Sequence, residues 1–207
     1  QVSGGSFGEQ VGTLTAGATL HGIDGFVMGS ASEEDGWRDA TGARTRQLFA
    51  TIGHRSTTGG ADTSDVAFSV LYARDKIHEA GSLPESWFDA NTRLNYTPGD
   101  FFLPDLLQLS VRGFRGAWGG TLRGTAYFRR NDIEQFNTNV PPPNTDGFIA
   151  NHSGGGTAEW TRPVLLGKLP AAVTIGGEYA RQNVRFRLVN VQAGAPDSVA
   201  TLAVVPE

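Results

Sequence analysis

Between Leu106 and Phe114 the chain alternates strictly. Leu107, Leu109 and Val111 make one set, and Gln108, Ser110 and Arg112 make the other. A period of two places the two sets on opposite faces of a strand. After the Gly-rich turn Arg115–Gly120 the alternation resumes, with Leu122, Gly124, Ala126 and Phe128 against Arg123, Thr125, Tyr127 and Arg129. The same pattern sets Val66, Phe68, Val70 and Tyr72 against Ala67, Ser69, Leu71 and Ala73, and Val173, Ile175, Gly177 and Tyr179 against Thr174, Gly176, Glu178 and Ala180. The pattern predicts eight strands: Gln10–Leu20, Gly25–Glu34, Thr45–Arg55, Ser64–Lys76, Leu106–Arg115, Thr121–Phe136, Gly147–Arg162 and Ala172–Leu188.

The joins between these strands alternate too. Residues 21–24, 57–62, 116–119 and 163–170 read as short turns, in which Gly and Asp supply the left-handed backbone that hairpins need. Residues 35–43, 77–105, 137–146 and everything after Val189 read as long polar loops. A structureless connection as long as 77–105 is uncommon unless it has a use. Short turns at one end and long loops at the other characterise outer-membrane barrels, whose apolar set faces lipid and whose polar set faces a wet lumen. The fold class that follows is all-β: an antiparallel up-and-down transmembrane β-barrel, partial, with short periplasmic turns and long extracellular loops. Residues 1–190 form the barrel segment, and 191–207 form an extracellular loop or an unassigned tail.

Aromatic residues Phe26, Tyr72, Phe128, Trp160 and Tyr179 read as sitting toward the ends of apolar faces, as a half-wet ring at a membrane interface does. The opposite faces carry Arg112, Arg123, Arg129, Glu159 and Glu178. Buried without partners, such ions cost several kcal/mol each, so the polar side is wet. A soluble sandwich with its polar face in water accommodates them equally, and it predicts that the apolar faces meet in a dry core.

Composition narrows the function. No stretch approaches the roughly 18 apolar residues of a membrane-crossing helix. The 28 glycines suit turns and strands better than helices. Zero cysteines remove disulfides, thiolate metal sites and thiol nucleophiles. A formal net charge of -4 opposes nucleic-acid binding, which needs a basic patch or stripe. Gln1 is followed by no basic segment or apolar run of a leader, so the chain reads as a mature start or an internal piece.

Candidate chemistry is sparse. His21, His54, His78 and His152 are scattered, without ligand spacing. His78, Ser86 and Asp89 share one loop, but a triad is defined by geometry and not by sequence proximity. Glu33, Glu34, Asp35 and Asp39, with Asp100 and Asp105, form an acidic set able to bind a divalent cation or to be a solvated loop. Neither an enzyme nor a resident cofactor is expected. The collective signal lies in the long loops, where Trp37, Arg38, Trp87, Phe88, Arg93, Tyr96, Phe101 and Phe102 gather. Rings give contact area and Arg gives a planar fork for carboxylates, a combination suited to large polar or anionic ligands. Trp37, Arg38, Trp87, Arg93 and Tyr96 are the candidate ligand-binding residues; packing of loop against loop is the alternative role.

Several segments, in order, resemble the TonB-dependent outer-membrane receptors. Glu34–Asp39 followed by Arg44–Phe49 resembles their early barrel, and Gly5–Gly8 is similar to a short first external loop. Ser82–Ser86 with Asn95–Asp100 resembles a long external loop, and Ala126–Arg130 with Phe136 and Asn137 the strand and loop that follow. The resemblance implies the second through ninth strands of a barrel of about twenty-two. It further implies an outer-membrane location with lipid around the wall, and cargo such as ferric siderophores or cobalamin. TonB would be engaged through a plug region that these residues do not include. A self-standing eight-stranded barrel with a structural or adhesive role, an outer-membrane enzyme and a soluble β-sandwich binding module are the alternatives.

Overall fold

The computed structural model describes residues 1–56, 64–139, 142–192 and 195–204. Ten strands form one antiparallel sheet in simple sequence order: β1 Val2–Gly4, β2 Gln10–Leu20, β3 Ile23–Glu34, β4 Ala43–Ser56, β5 Ser64–His78, β6 Phe101–Ala117, β7 Gly120–Asn137, β8 Asn144–Leu166, β9 Leu169–Gln192 and β10 Ala195–Val204. One short helix, α1 Glu85–Ala90, lies between β5 and β6. The sheet is barrel-like and up-and-down, and it is not closed, since β1 and β10 stand at opposite ends of the strand order.

All eight expected strands are present, most of them longer than the alternation alone marks. The two additions are β1 and β10. Within 191–207, expected as loop or tail, Val191 and Gln192 instead continue β9, and Ala195–Val204 returns as β10, which pairs from Ala195↔Gln192 to Val204↔Val184. Hydrogen bonding to a neighbouring strand organises this stretch, and local sequence carries no mark of that partner.

Two-residue turns join β2 to β3, β6 to β7 and β8 to β9. At His21-Gly22 (φ 51° and 79°) and Trp118-Gly119 (φ 53° and 72°) both central residues are left-handed, the requirement of a type I′ hairpin whose twist matches the strands. The expected turn at 163–170 shrinks to Gly167-Lys168, because Leu165 pairs with Pro170 and Leu166 with Leu169. Pro163 and Pro170 are tolerated in these strands for a topological reason. β7 meets β8 only as far as Thr161, and β10 meets β9 only as far as Val184, so each proline has a strand on one side alone. The expected turn at 57–62 lies outside the described residues.

The hairpins are staggered. Ile23 pairs with His54 while β4 runs on to Ser56, Ser64 pairs with Arg115 while β6 runs on to Ala117, and Thr121 pairs with Thr161 while β8 runs on to Leu166. Each hairpin overhangs its predecessor, as in strands that tilt against a barrel axis.

Cross-strand partners share a face, so the register carries each face across the sheet. One unbroken row reads Ala18, Gly25, Ile52, Phe68, Val111, Ala126, Gly156, Tyr179. A row on the other face reads Thr19, Asp24, Gly53, Ala67, Arg112, Thr125, Thr157, Glu178. Along it Thr19 donates to Asp24 at 2.6 Å, and the Thr125 and Thr157 hydroxyls meet at 2.7 Å. Phe26 belongs to this polar face, as a partner of Gly17 and Thr51, and it packs 6.1 Å from Phe49; it is not one of the apolar-face aromatics.

The described residues build no dry core. Val189 is the one buried apolar residue among those described, while Leu14 is 76% exposed and Ile175 65%. A sandwich would bury these faces against a second sheet, and the described strands all belong to one. An apolar surface of this extent marks an interaction with lipid or protein.

Candidate functional site

The long connections gather at the end of the sheet opposite the two-residue turns. The loop 35–42 between β3 and β4 and the loop 79–100 between β5 and β6 are built onto each other. The Asp39 amide donates to the Arg93 carbonyl at 2.8 Å, and Arg38 Nη1 donates to the Gly81 carbonyl at 3.2 Å. The Asp39 carboxylate lies 3.9 Å from the Arg93 guanidinium. Gly36 (φ 74°) lets the first loop fold back, and a side chain there would strike Thr41.

The longer loop is organised by polar residues rather than by an apolar centre. Asn95, Thr97 and Asp100 are buried. Asn95 Oδ1 accepts from the Thr97 amide at 2.9 Å, Asn95 Nδ2 donates to the Glu79 carbonyl at 3.3 Å, and Thr97 Oγ1 accepts from the Gly81 amide at 2.7 Å. Asp100 Oδ1 accepts from the Thr138 amide at 2.7 Å, which ties in the loop that follows β7. Short polar side chains that bond local backbone replace the ladder partners a loop lacks. The alternation pattern does not detect these three residues, although the spacing Asn-x-Thr-x-x-Asp is their sequence trace.

Each sequence-predicted residue has a definite place. Arg38 lies over the Trp37 ring, 5.1 Å from its centroid. Both line an open cleft of about 510 Å³ with Phe7, Glu34, Gly36, Thr41 and Ala80. Trp87, on α1, meets Tyr96 edge-on at 5.3 Å, and both remain substantially exposed. Arg93 joins the two loops through Asp39. The structure thus makes one cation–π pair, Trp37 with Arg38 in the cleft, and one aromatic pair, Trp87 with Tyr96 outside it. Phe7, carried by the join between β1 and β2, completes the cleft. Phe101 and Phe102 are not loop residues: they open β6, and Phe101 stacks on its cross-strand partner Phe136 at 6.0 Å.

The acidic residues disperse onto separate partners instead of converging. Glu33 bonds Arg44, Asp39 faces Arg93, Asp100 holds Thr138, and Asp105 lies 3.8 Å from Arg74 and 3.4 Å from Arg130. Among the described residues, no three carboxylate or imidazole groups gather as a metal site would require. The Arg44 guanidinium, bonded to Glu33, holds that carboxyl below its ordinary range; burial pushes the Asp75 carboxyl up. Both lie at the loop end of their strands, beyond the apolar rows. Ser86 and Asp89 sit on α1, and His78 ends β5.

No protein-family model matches the chain, and no curated protein sequence matches it. Among solved structures, the ferric citrate transporter FecA in its unliganded form matches with a TM-score of 0.76 at 13% identity. The match covers 97% of this chain and 30% of that one. Likeness at this identity establishes fold. The chain shares the fold of a β-barrel segment and spans about 30% of the length of that protein.

Proposed function

We propose that this chain is part of the wall and outer loops of a TonB-dependent outer-membrane receptor. Such a receptor takes up a ferric siderophore or similar cargo by active transport and performs no covalent chemistry. The observation that carries the reading is the continuous apolar face crossing a staggered sheet, with two-residue turns at one end and interlocked aromatic loops at the other. Lipid covers that face at the outer membrane, and the polar face borders the lumen. The likeness to a ferric citrate transporter supports transport of a metal chelate, and the resemblance of the loop segments supports the same family. TonB is engaged through a plug region outside these residues, and nucleic acid has no part. The unpaired edges β1 and β10 count against a self-standing small barrel, because such a barrel must join its first strand to its last.

The deciding experiment is membrane fractionation followed by intact mass of the native protein, using an antibody raised to residues 79–100. Recovery from outer membranes at a mass several-fold above 22.0 kDa is expected. Recovery as a soluble protein, or from membranes near 22.0 kDa, rejects the reading. For the loops, replacing Trp87 and Arg93 together with Ala should weaken binding of a labelled ferric siderophore about tenfold, the scale of an interface hot spot. Unchanged binding and uptake across a siderophore panel would leave these residues a packing role only.

A further inference from the structure

Following the apolar face toward the loop end, its character changes within one row. Gly29, Leu48, Tyr72 and Leu107 lie on one register row; two residues along the same strands the next row reads Ala31, Arg46, Arg74, Asp105. At this level the pairing of β5 with β6 lapses. Partners jump from Arg74↔Asp105 to Ile77↔Phe102, opposite Pro104, which has no N–H to give the ladder. The lapse opens a cleft of about 450 Å³, whose cations are Arg44, Arg46, Arg74, Lys76 and Arg130. Arg187 lies over Phe148 at its far side, 5.9 Å from the ring centroid.

Acidic side chains line the cleft too, and most are engaged. Asp105 faces Arg74 and Arg130, and also accepts from the Tyr72 hydroxyl at 3.4 Å. Asp132 faces Arg130 at 3.3 Å and His152 at 3.7 Å. Asp75 accepts from the Arg46 backbone, and Glu134 stands on the β7 wall. Arg46 and Lys76 have no carboxylate within 4.0 Å among the described residues, and Arg46 acts on Glu33 only at longer range, so both cations can take a close outside anion.

We propose that this cleft holds the phosphate of an anionic lipid headgroup whose acyl chains lie along Leu48, Tyr72 and Leu107. The commitment to lipid, rather than to a free anion, comes from continuity. Two residues of strand span about 7 Å, the distance from the end of an acyl chain's apolar contact to a headgroup phosphate, and cations at that level attract anionic lipid. The proposal rests on the membrane reading above.

The test is native mass spectrometry of the native protein in an uncharged detergent. Dioleoyl phosphatidic acid is compared with dioleoylglycerol, which has the same chains and no phosphate, and inorganic phosphate serves as competitor. Phosphatidic acid should be retained in preference to dioleoylglycerol and should resist inorganic phosphate. Replacing Arg46 and Lys76 together with Gln should lower its retention roughly twenty-fold, near five-fold for each cation, while Arg55→Gln on the polar face leaves it unchanged. Equal retention of the two lipids, displacement by inorganic phosphate, or unaltered retention in the folded double variant each overturn the proposal. The wild-type lipid comparison decides the matter even if the double variant does not fold. A protein recovered from outer membranes that shows no preference for phosphatidic acid defeats this inference alone; one recovered as soluble defeats the membrane reading as well.

Discussion

The turn-side half of the sheet and its loop-side flare obey opposite rules. In the turn-side half, one face is apolar through Ile52, Phe68, Val111 and Ala126, and the other is polar through Asp24, Arg112, Thr125 and Glu178. In the flare the assignment reverses. The face continuous with Leu107 and Phe128 now carries Arg74, Asp105, Asp132 and Arg185, while the formerly polar face carries Ile77, Phe102, Leu106, Ile133, Ile149 and Phe186. A single rule of side-chain alternation therefore gives two environments, divided at the level of Tyr72 and Leu107. Lipid surrounds the first region on the proposed reading. Water surrounds the second, where charges outside and apolar side chains inside are the ordinary arrangement of a soluble wall.

The comparison breaks most sharply at one strand. Leu109→Arg places a cation in the middle of the apolar rows and should cost about 2–4 kcal/mol of folding stability in lipid vesicles. Its neighbour Ser110→Arg, on the polar face, should stay within about 0.5 kcal/mol. Leu103→Arg, on the same face as Leu109 but half-buried at the cleft in the flare, should cost about 1 kcal/mol, the centre of the range for single substitutions. Denaturant titration of vesicle-folded protein measures all three. Equal losses at 109 and 103 would erase the boundary between the regions.

A smaller effect is expected where the flare hands over to its loops. Asp100→Ala leaves the half-buried Thr138 amide without its acceptor and should cost about 1–3 kcal/mol, confined to the loops. Hydrogen exchange should rise at 79–100 and at Thr138 while the strands stay protected. Exchange that spreads through β5 and β6 would show the loops to be part of the sheet's own cooperative unit. The smallest effect belongs to the turn side. Trp160 Nε1 donates to the Ala117 carbonyl at 3.0 Å, and Trp160→Phe should cost about 1 kcal/mol by the same titration. A loss several times larger would make this ring an anchor of the turn-side rim rather than one contact within it.

Several features are legible in the sequence alone. The alternation at Leu107, Leu109 and Val111 placed β6, and the β2 bounds Gln10 and Leu20 agree with it to the residue. The grouping of Arg112, Arg123, Arg129, Glu159 and Glu178 on the face opposite the apolar rows also follows from period alone, since successive side chains of a pleated strand alternate between faces. Pairing was harder to read. β10 follows a short join and has no alternating apolar set comparable to that of β6; its strand character comes from β9. Sequence puts Phe26 on the wrong face because flanking Gly25 and Val27 fit either one, and only its pairing with Thr51 assigns it to the polar face.

Local sequence carries the period, the two-faced strands, the alternation of short and long joins, and the loop positions of Trp37, Arg38, Trp87, Arg93 and Tyr96. Each of these depends on residues close together in the chain. Whatever depends on register comes from long-range strand pairing. It levelled Arg46, Arg74 and Asp105 into one row, reversed the faces above Tyr72, and opened a cleft opposite Pro104. It also bound Arg93 to Asp39 and placed Trp37 with Arg38 beside Phe7, apart from Trp87 and Tyr96. Side-chain period is a local property of a pleated backbone, whereas the height at which two strands meet is set by hydrogen bonds between residues far apart in the chain.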